Sequence, residues 1–331
     1  MDTPRTVPST AITRALALFA RLWRASPPLT AVGTLMLVMA VASLVGMFVD
    51  PRIITGAPAW LLPFKFAIST AIFGLTLAWI FQWLPDRPRL RRVVGWTTAI
   101  VFVLEVAIID AQAWRGTTSH FNVSTPLDAT LFSIMGIAIL VQTGMSVAVA
   151  VALWRQRFTD RPLGWALRLG MTLSVAGALT GPLMTGPTAA QLAKVRAGGG
   201  MPTVGAHTVG GADGGPGVPI TGWSREHGDV RVPHFIGLHA IQALALIALG
   251  LRRWRRPDTV RVRAVQVAAA SYASLFLLLL WQALRGESIV PSDATALAPI
   301  AVWATLSVLA LGWIGVRSRG ASRGGSDRVA A

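Results

Sequence analysis

The residues best able to do chemistry in this chain are its five histidines, His120, His207, His227, His234 and His239, together with a few ionisable groups set inside apolar runs. Three of those histidines fall within residues 224–242, SREHGDVRVPHFIGLHAIQ, which run from a charged loop straight into an apolar helix. Pro233 suits the first turn of that helix, because its φ is fixed and it has no N–H to leave unpaired. Neutral imidazole is a common ligand for zinc, copper and haem iron, and nearby carboxylates could complete a site or relay protons. No His-x-x-x-His, haem-attachment sequence or His-Glu-x-x-His occurs. On a continuous helix His234 and His239, five residues apart, lie about 140° from one another and do not share a face. Any site must therefore be assembled between elements. The absence of cysteine excludes disulfides, thiolate metal sites and thiol redox chemistry.

The elements that would position these groups are transmembrane helices. Apolar residues make up 53% of the chain and charged ones only 13%, too few charges for an ordinary soluble domain. Eight runs, each long enough for a hydrocarbon core about 30 Å thick, cover 28–49, 59–84, 93–113, 126–154, 163–185, 233–252, 263–284 and 294–315. The expected fold class is all-α, a polytopic bundle of eight spans over 28–315. Before it comes a cytoplasmic amphipathic segment, 1–27, in which Ile12, Leu16, Phe19 and Trp23 recur at helical spacing opposite Arg14, Arg21 and Arg24. That segment reads as a helix on the membrane surface or packed under the bundle. After the spans comes a cytoplasmic disordered tail, 316–331. Gly181-Pro182 predicts a kink near the end of the fifth span, and 187–196 a short helix. Residues 198–222 hold ten glycines and three prolines, which argues against regular structure there. The apolar residues of the 186–232 loop suggest a cap over the outer mouth of the bundle.

The net charge of +16 reads as a topology signal and gives no reason to expect a nucleic-acid partner. The N-terminus, the connections after spans two, four and six with their flanking arginines, and the C-terminus hold 22 of the 30 basic residues and 5 of the 14 acidic ones. The remaining 8 basic and 9 acidic residues nearly cancel. By the positive-inside rule both termini are cytoplasmic in a bacterial-type inner membrane, with the bilayer itself as the chief partner. Every histidine then lies outside the membrane or in its outer half. Lys65 and His239 fall about 9 Å, and Glu105 about 12 Å, below the outer boundary. With Gln242 they form a candidate intramembrane polar cluster; Asp110, His120, Asp128 and His234 form a possible ring above it. Charged groups at that depth are costly and usually face a bundle interior or wet cavity. The plainer alternatives are a register-fixing Lys65–Glu105 ion pair, a snorkelling Lys65 and an interfacial His234.

Residues 204–239, VGAHTVGGADGGPGVP followed by WSREHGDVRVPHFIGLH, resemble a group of bacterial multi-spanning inner-membrane proteins with no assigned activity. The resemblance implies a location and no chemistry. Three functions therefore stand as expectations. One is a haem- or transition-metal-binding redox protein using His239 with His234 or His120. Another is a proton-coupled or small-solute transporter using Lys65, Glu105 and His239, for which a small molecule or ion is the ligand. The last is a scaffold for a partner subunit.

Overall fold

The structure, a computed structural model, describes residues 11–290 and 294–323, with the backbone alone at 294–296 and 315–323. It is 71% helical with almost no sheet. Among the described residues seven helices are long and apolar enough to cross a membrane, or eight if one bent pair counts as a single span. The chain divides into two compact units, residues 1–52 with 58–115, and residues 53–57 with 116–331.

The N-terminal unit contains α1 (Ala11–Ala25), α2 (Pro27–Val49), α3 (Leu61–Ile80), a 3-10 turn (Phe81–Trp83) and α4 (Pro88–Trp114). Prolines at the first positions of α2 and α4 start those helices where an N–H would be orphaned. Close approach of α2 to α3 requires small residues. A Cβ added at Gly33 would lie 2.7 Å from the Leu75 side chain, and one at Gly46 would lie 2.6 Å from the Trp60 ring. At one end of the unit Arg52 forks onto Asp50 and donates to the Trp114 carbonyl at 2.8 Å, while Trp60 Nε1 donates to Asp50 Oδ2 at 2.8 Å. The Arg52 hydrogen bonds hold the Asp50 carboxyl well below the usual carboxylate range. This network joins the ends of α2, α3 and α4.

The C-terminal unit contains α5 (Pro126–Arg155), α6 (Arg161–Ala178), a 3-10 turn (Gly181–Met184), α7 (Ala189–Arg196), α8 (Arg231–Leu238), α9 (Ala240–Leu251), α10 (Asp258–Leu284) and α11 (Ala294–Arg323). Thr125 and Asp160 cap α5 and α6, and Thr188 with Gln191 forms a reciprocal capping box on α7. The expected interruption at Gly181-Pro182 takes the form of that 3-10 turn beyond α6. In α6, Arg168 donates to the carbonyls of Leu153 and Gln156 at the end of α5, with the rings of Trp154, Phe158 and Trp165 around its guanidinium. Of the tail expected from residue 316, residues 324–331 lie outside the described residues.

The sixth expected span differs from the sequence reading. Instead of one helix from 233 to 252, α8 and α9 meet at His239 with a bend of 43°. No proline causes it. Neighbouring side chains satisfy the backbone groups the break frees, which is the condition for irregular backbone at membrane depth. Ser174 Oγ donates to the Leu238 carbonyl at 2.9 Å and accepts from Ile241 N–H at 3.1 Å, and Tyr272 OH donates to the Ile236 carbonyl at 2.6 Å. The backbones of α6 and α8 touch at Gly177 and Gly237, where an added Cβ on either would come within 2.4 Å of the other.

Candidate functional site

The structure distributes the sequence candidates between the two units. Lys65, Glu105 and Asp110 belong to the N-terminal unit; His120, Asp128, His234, His239 and Gln242 belong to the C-terminal one.

In the N-terminal unit the centre of interest is α4. Thr98, Glu105 and Gln112 are seven residues apart, so they share one stripe of the helix. All three are buried, and Glu105 is only 1% exposed. Among the described residues neither Glu105 carboxylate oxygen has a hydrogen-bond partner, nor does either Asp110 oxygen or Thr98 Oγ1. Gln112 is held by a hydrogen bond from Arg115. Glu105 lies nine residues, about 13 Å, from the Trp114 end of the helix. Of these α4 residues, sequence reasoning singled out Glu105 and Asp110 by charge. It missed Thr98 and Gln112, which the spacing of seven could have marked.

In the C-terminal unit, four of the five histidines gather. His207 lies within electrostatic reach of both His120 and His234, and His234 within reach of His239. The helix breaks at His239, whose N–H still bonds the Phe235 carbonyl at 3.1 Å as the last residue of the α8 turn. His234 Nδ1 sits 2.9 Å from the Gly177 carbonyl and 3.1 Å from Thr180 Oγ1. A carbonyl only accepts, so Nδ1 carries the proton and a neutral ring presents its lone pair at Nε2. His239 packs on Phe235 with centroids 4.3 Å apart and hydrogen-bonds Gln242. Asp128 is taken up at the start of α5, accepting from Thr125 Oγ1 at 2.6 Å. Among the described residues no group of three or more His, Cys, Asp and Glu side chains could hold a metal ion.

Residues 198–230 are tied down by hydrogen bonds, several of them around His207. Asp213 accepts from the N–H groups of His207 and Thr208 and pairs with the His207 ring at 3.0 Å. Burial works against that carboxylate, yet these bonds hold it well below its usual range. Asp229 accepts from Ser224 N–H and from Arg231, and Val230 N–H bonds the His207 carbonyl at 3.0 Å. Two-residue strands pair Thr208–Val209 with Gly228–Asp229, and Phe121, Met184 and Val230 form a small apolar core beneath. His120, bonded to Ser119 Oγ, is pushed down to about 3 by burial and by His207 nearby. The folded ring thus refuses a proton that the unfolded one accepts below 6.5. Stability of this loop region should fall as pH drops from 6.5 towards 3, by at most about 1.4 kcal/mol per unit from this group. Hydrogen exchange of residues 198–230, corrected for intrinsic rates, should speed up between pH 7 and 4, and His120→Gln should flatten the trend. Protection that stays constant over that range in the unsubstituted protein would refute this assignment.

No protein-family model, curated protein or solved structure matches the chain.

Proposed function

We propose that this chain moves protons, alone or coupled to a small solute, across a bacterial-type inner membrane, with Glu105 as the group that takes up and releases the proton. In this reading α8 and α9 form one broken span, the spans number eight, and the arginine-rich ends put both termini in the cytoplasm. The single observation that carries the proposal is the Glu105 carboxyl, buried in an apolar span with neither oxygen hydrogen-bonded among the described residues. An unpaired ion there costs several kcal/mol, so a fixed charge has no structural use. A group that trades its proton with a transient water path does have one. Thr98 and Gln112 on the same stripe supply a hydroxyl and an amide that such waters could bond. The break at His239 supports the same reading, since interrupted helices are the usual hinge and binding elements of secondary transporters.

A second reading, binding of haem or a transition metal, draws on His234. An imidazole whose Nδ1–H is fixed by a backbone carbonyl and whose Nε2 is left with its lone pair is the arrangement of a ligating histidine. His239 and His120 would be its partners. The scaffold reading has no particular observation in its favour.

One preparation tests both. Purified protein in liposomes holding a pH-sensitive dye, under a potassium-driven potential, should acidify or alkalinise the lumen faster than empty liposomes, and Glu105→Gln should abolish the difference. Flux unaltered by that substitution, or absent in the parent protein, rejects the proposal. A Soret band or stoichiometric metal in the same preparation, lost in His239→Ala, would put the second reading first.

A further inference from the structure

Helix α1 carries three differently occupied faces. Leu22 and Ala25 are buried against the N-terminal unit, where Arg91 donates to the Ala25 carbonyl. Roughly 90° from Leu22 and 150° from Ala25 round the helix, Ile12, Leu16, Phe19 and Trp23 form an apolar stripe that the unit leaves uncovered: Ile12 is 72% and Leu16 63% exposed, and the Phe19 and Trp23 rings stack with centroids 5.9 Å apart. Opposite that stripe stand Arg14 and Arg21, with Arg24 at its flank, and α1 has no acidic residue in its first turn or anywhere else. Phe19, Ala20, Trp23 and Arg24 line a shallow open groove, which pairs aromatic walls with a guanidinium.

We infer that α1 lies in the plane of the bilayer surface, with its Ile12–Trp23 stripe in the acyl boundary and its arginines on anionic lipid headgroups. Two observations select this occupant over a protein partner. First, α1 runs through Ser26 into α2, a candidate span, so its uncovered stripe is held within reach of the interface by continuous chain. Second, it packs beside the 3-10 turn and the start of α4, where Arg87, Arg89, Arg91 and Arg92 cluster, so the field at this end of the unit is positive. Apolar side chains beneath and arginines above are the amphipathic division an interfacial helix needs; its apolar face sinks about 5–10 Å into the headgroup boundary. The inference does not depend on proton movement.

The absence of native cysteine makes the test direct. Full-length protein carrying a single spin label at Ile12→Cys, Leu16→Cys, Arg14→Cys or Arg21→Cys is reconstituted in nanodiscs containing phosphatidylglycerol. Phe48→Cys, at a highly exposed residue of α2, reports a lipid-facing label and correct folding. Labels at 12 and 16 should be open to oxygen, shielded from a water-soluble nickel chelate and about 5–10 Å below the phosphates. Labels at 14 and 21 should show the opposite preference. Replacing phosphatidylglycerol by phosphatidylcholine should raise the labels at 12 and 16 towards water. Labels at 12 and 16 shielded from both probes would mean a second copy or another protein covers the stripe. Labels as water-exposed as those at 14 and 21 would mean nothing does. Depth independent of lipid charge would remove the headgroup contact. Each of these results overturns the inference.

Discussion

Gly177→Ala is expected to cost the protein about 3 kcal/mol, enough to lower the yield of folded material sharply. An added Cβ would stand 2.4 Å from the carbonyl carbon of Gly237 and 2.5 Å from the backbone nitrogen of Leu238. Those are main-chain atoms, so no rotamer change relieves the clash and α6 must move away from α8. Three sets of hydrogen bonds then lengthen together: Ser174 to Leu238 and Ile241, His234 to Gly177, and His234 to Thr180. Each is worth on the order of 1 kcal/mol, and more where it leaves a freed backbone group in an apolar setting. Gly237→Ala should behave alike, since the approach is mutual. Gly136→Ala and Gly144→Ala provide the contrast: outside the local backbone of α5, no heavy atom of the described residues lies within 4 Å of either added Cβ, and α5 should keep or gain about 0.5–1 kcal/mol. Unfolding in mild detergent, followed by tryptophan fluorescence, distinguishes the two pairs. A Gly177→Ala protein as stable as Gly136→Ala would mean that the helices do not touch there.

That contact also marks the limit of what the sequence discloses. Seven candidate spans are legible in the amino-acid string because crossing a hydrocarbon layer demands some twenty apolar residues in a row, whatever the neighbours are. The break at His239 is not legible. The local string VPHFIGLHAIQALAL reads as one helix, and the interruption depends on Ser174 and Tyr272, which lie 64 and 36 residues from the carbonyls they bond. Asp213 was equally hidden: within Gly-Gly-Ala-Asp-Gly-Gly it looks like filler, yet it accepts two backbone N–H groups and pairs with His207. The glycines around it serve the same purpose, since Gly210 and Gly214 adopt φ of 89° and 93°, angles open chiefly to glycine. Glu105 was visible from sequence because charge inside an apolar run is rare whatever the fold. Its lack of a hydrogen-bond partner was not, for that depends on every side chain packed around α4.

That lack gives the second large effect: Glu105→Leu should stabilise the protein while removing the activity proposed for it. Most substitutions at a position only 1% exposed destabilise, because they open a cavity or overfill the core. Here the native side chain is itself the cost, because two buried carboxylate oxygens find no donor among the described residues. A buried polar group left without a hydrogen bond costs about 1–3 kcal/mol, and an apolar side chain of similar volume recovers a gain of that order. Leucine is close enough in size to fill the space without a new void. A residue kept at such a cost to stability is one retained for what it does, which is how active groups in membrane interiors differ from structural ones. Unfolding curves of the parent, Glu105→Leu and Glu105→Gln in the same detergent give the stability order, and the liposome assay gives the flux. The expected order of stability is leucine first and the parent last, with flux in the parent alone. Should Glu105→Leu instead unfold more easily by several kcal/mol, the carboxyl would be a partnered structural group, and the argument for a proton carrier on α4 would lose its foundation.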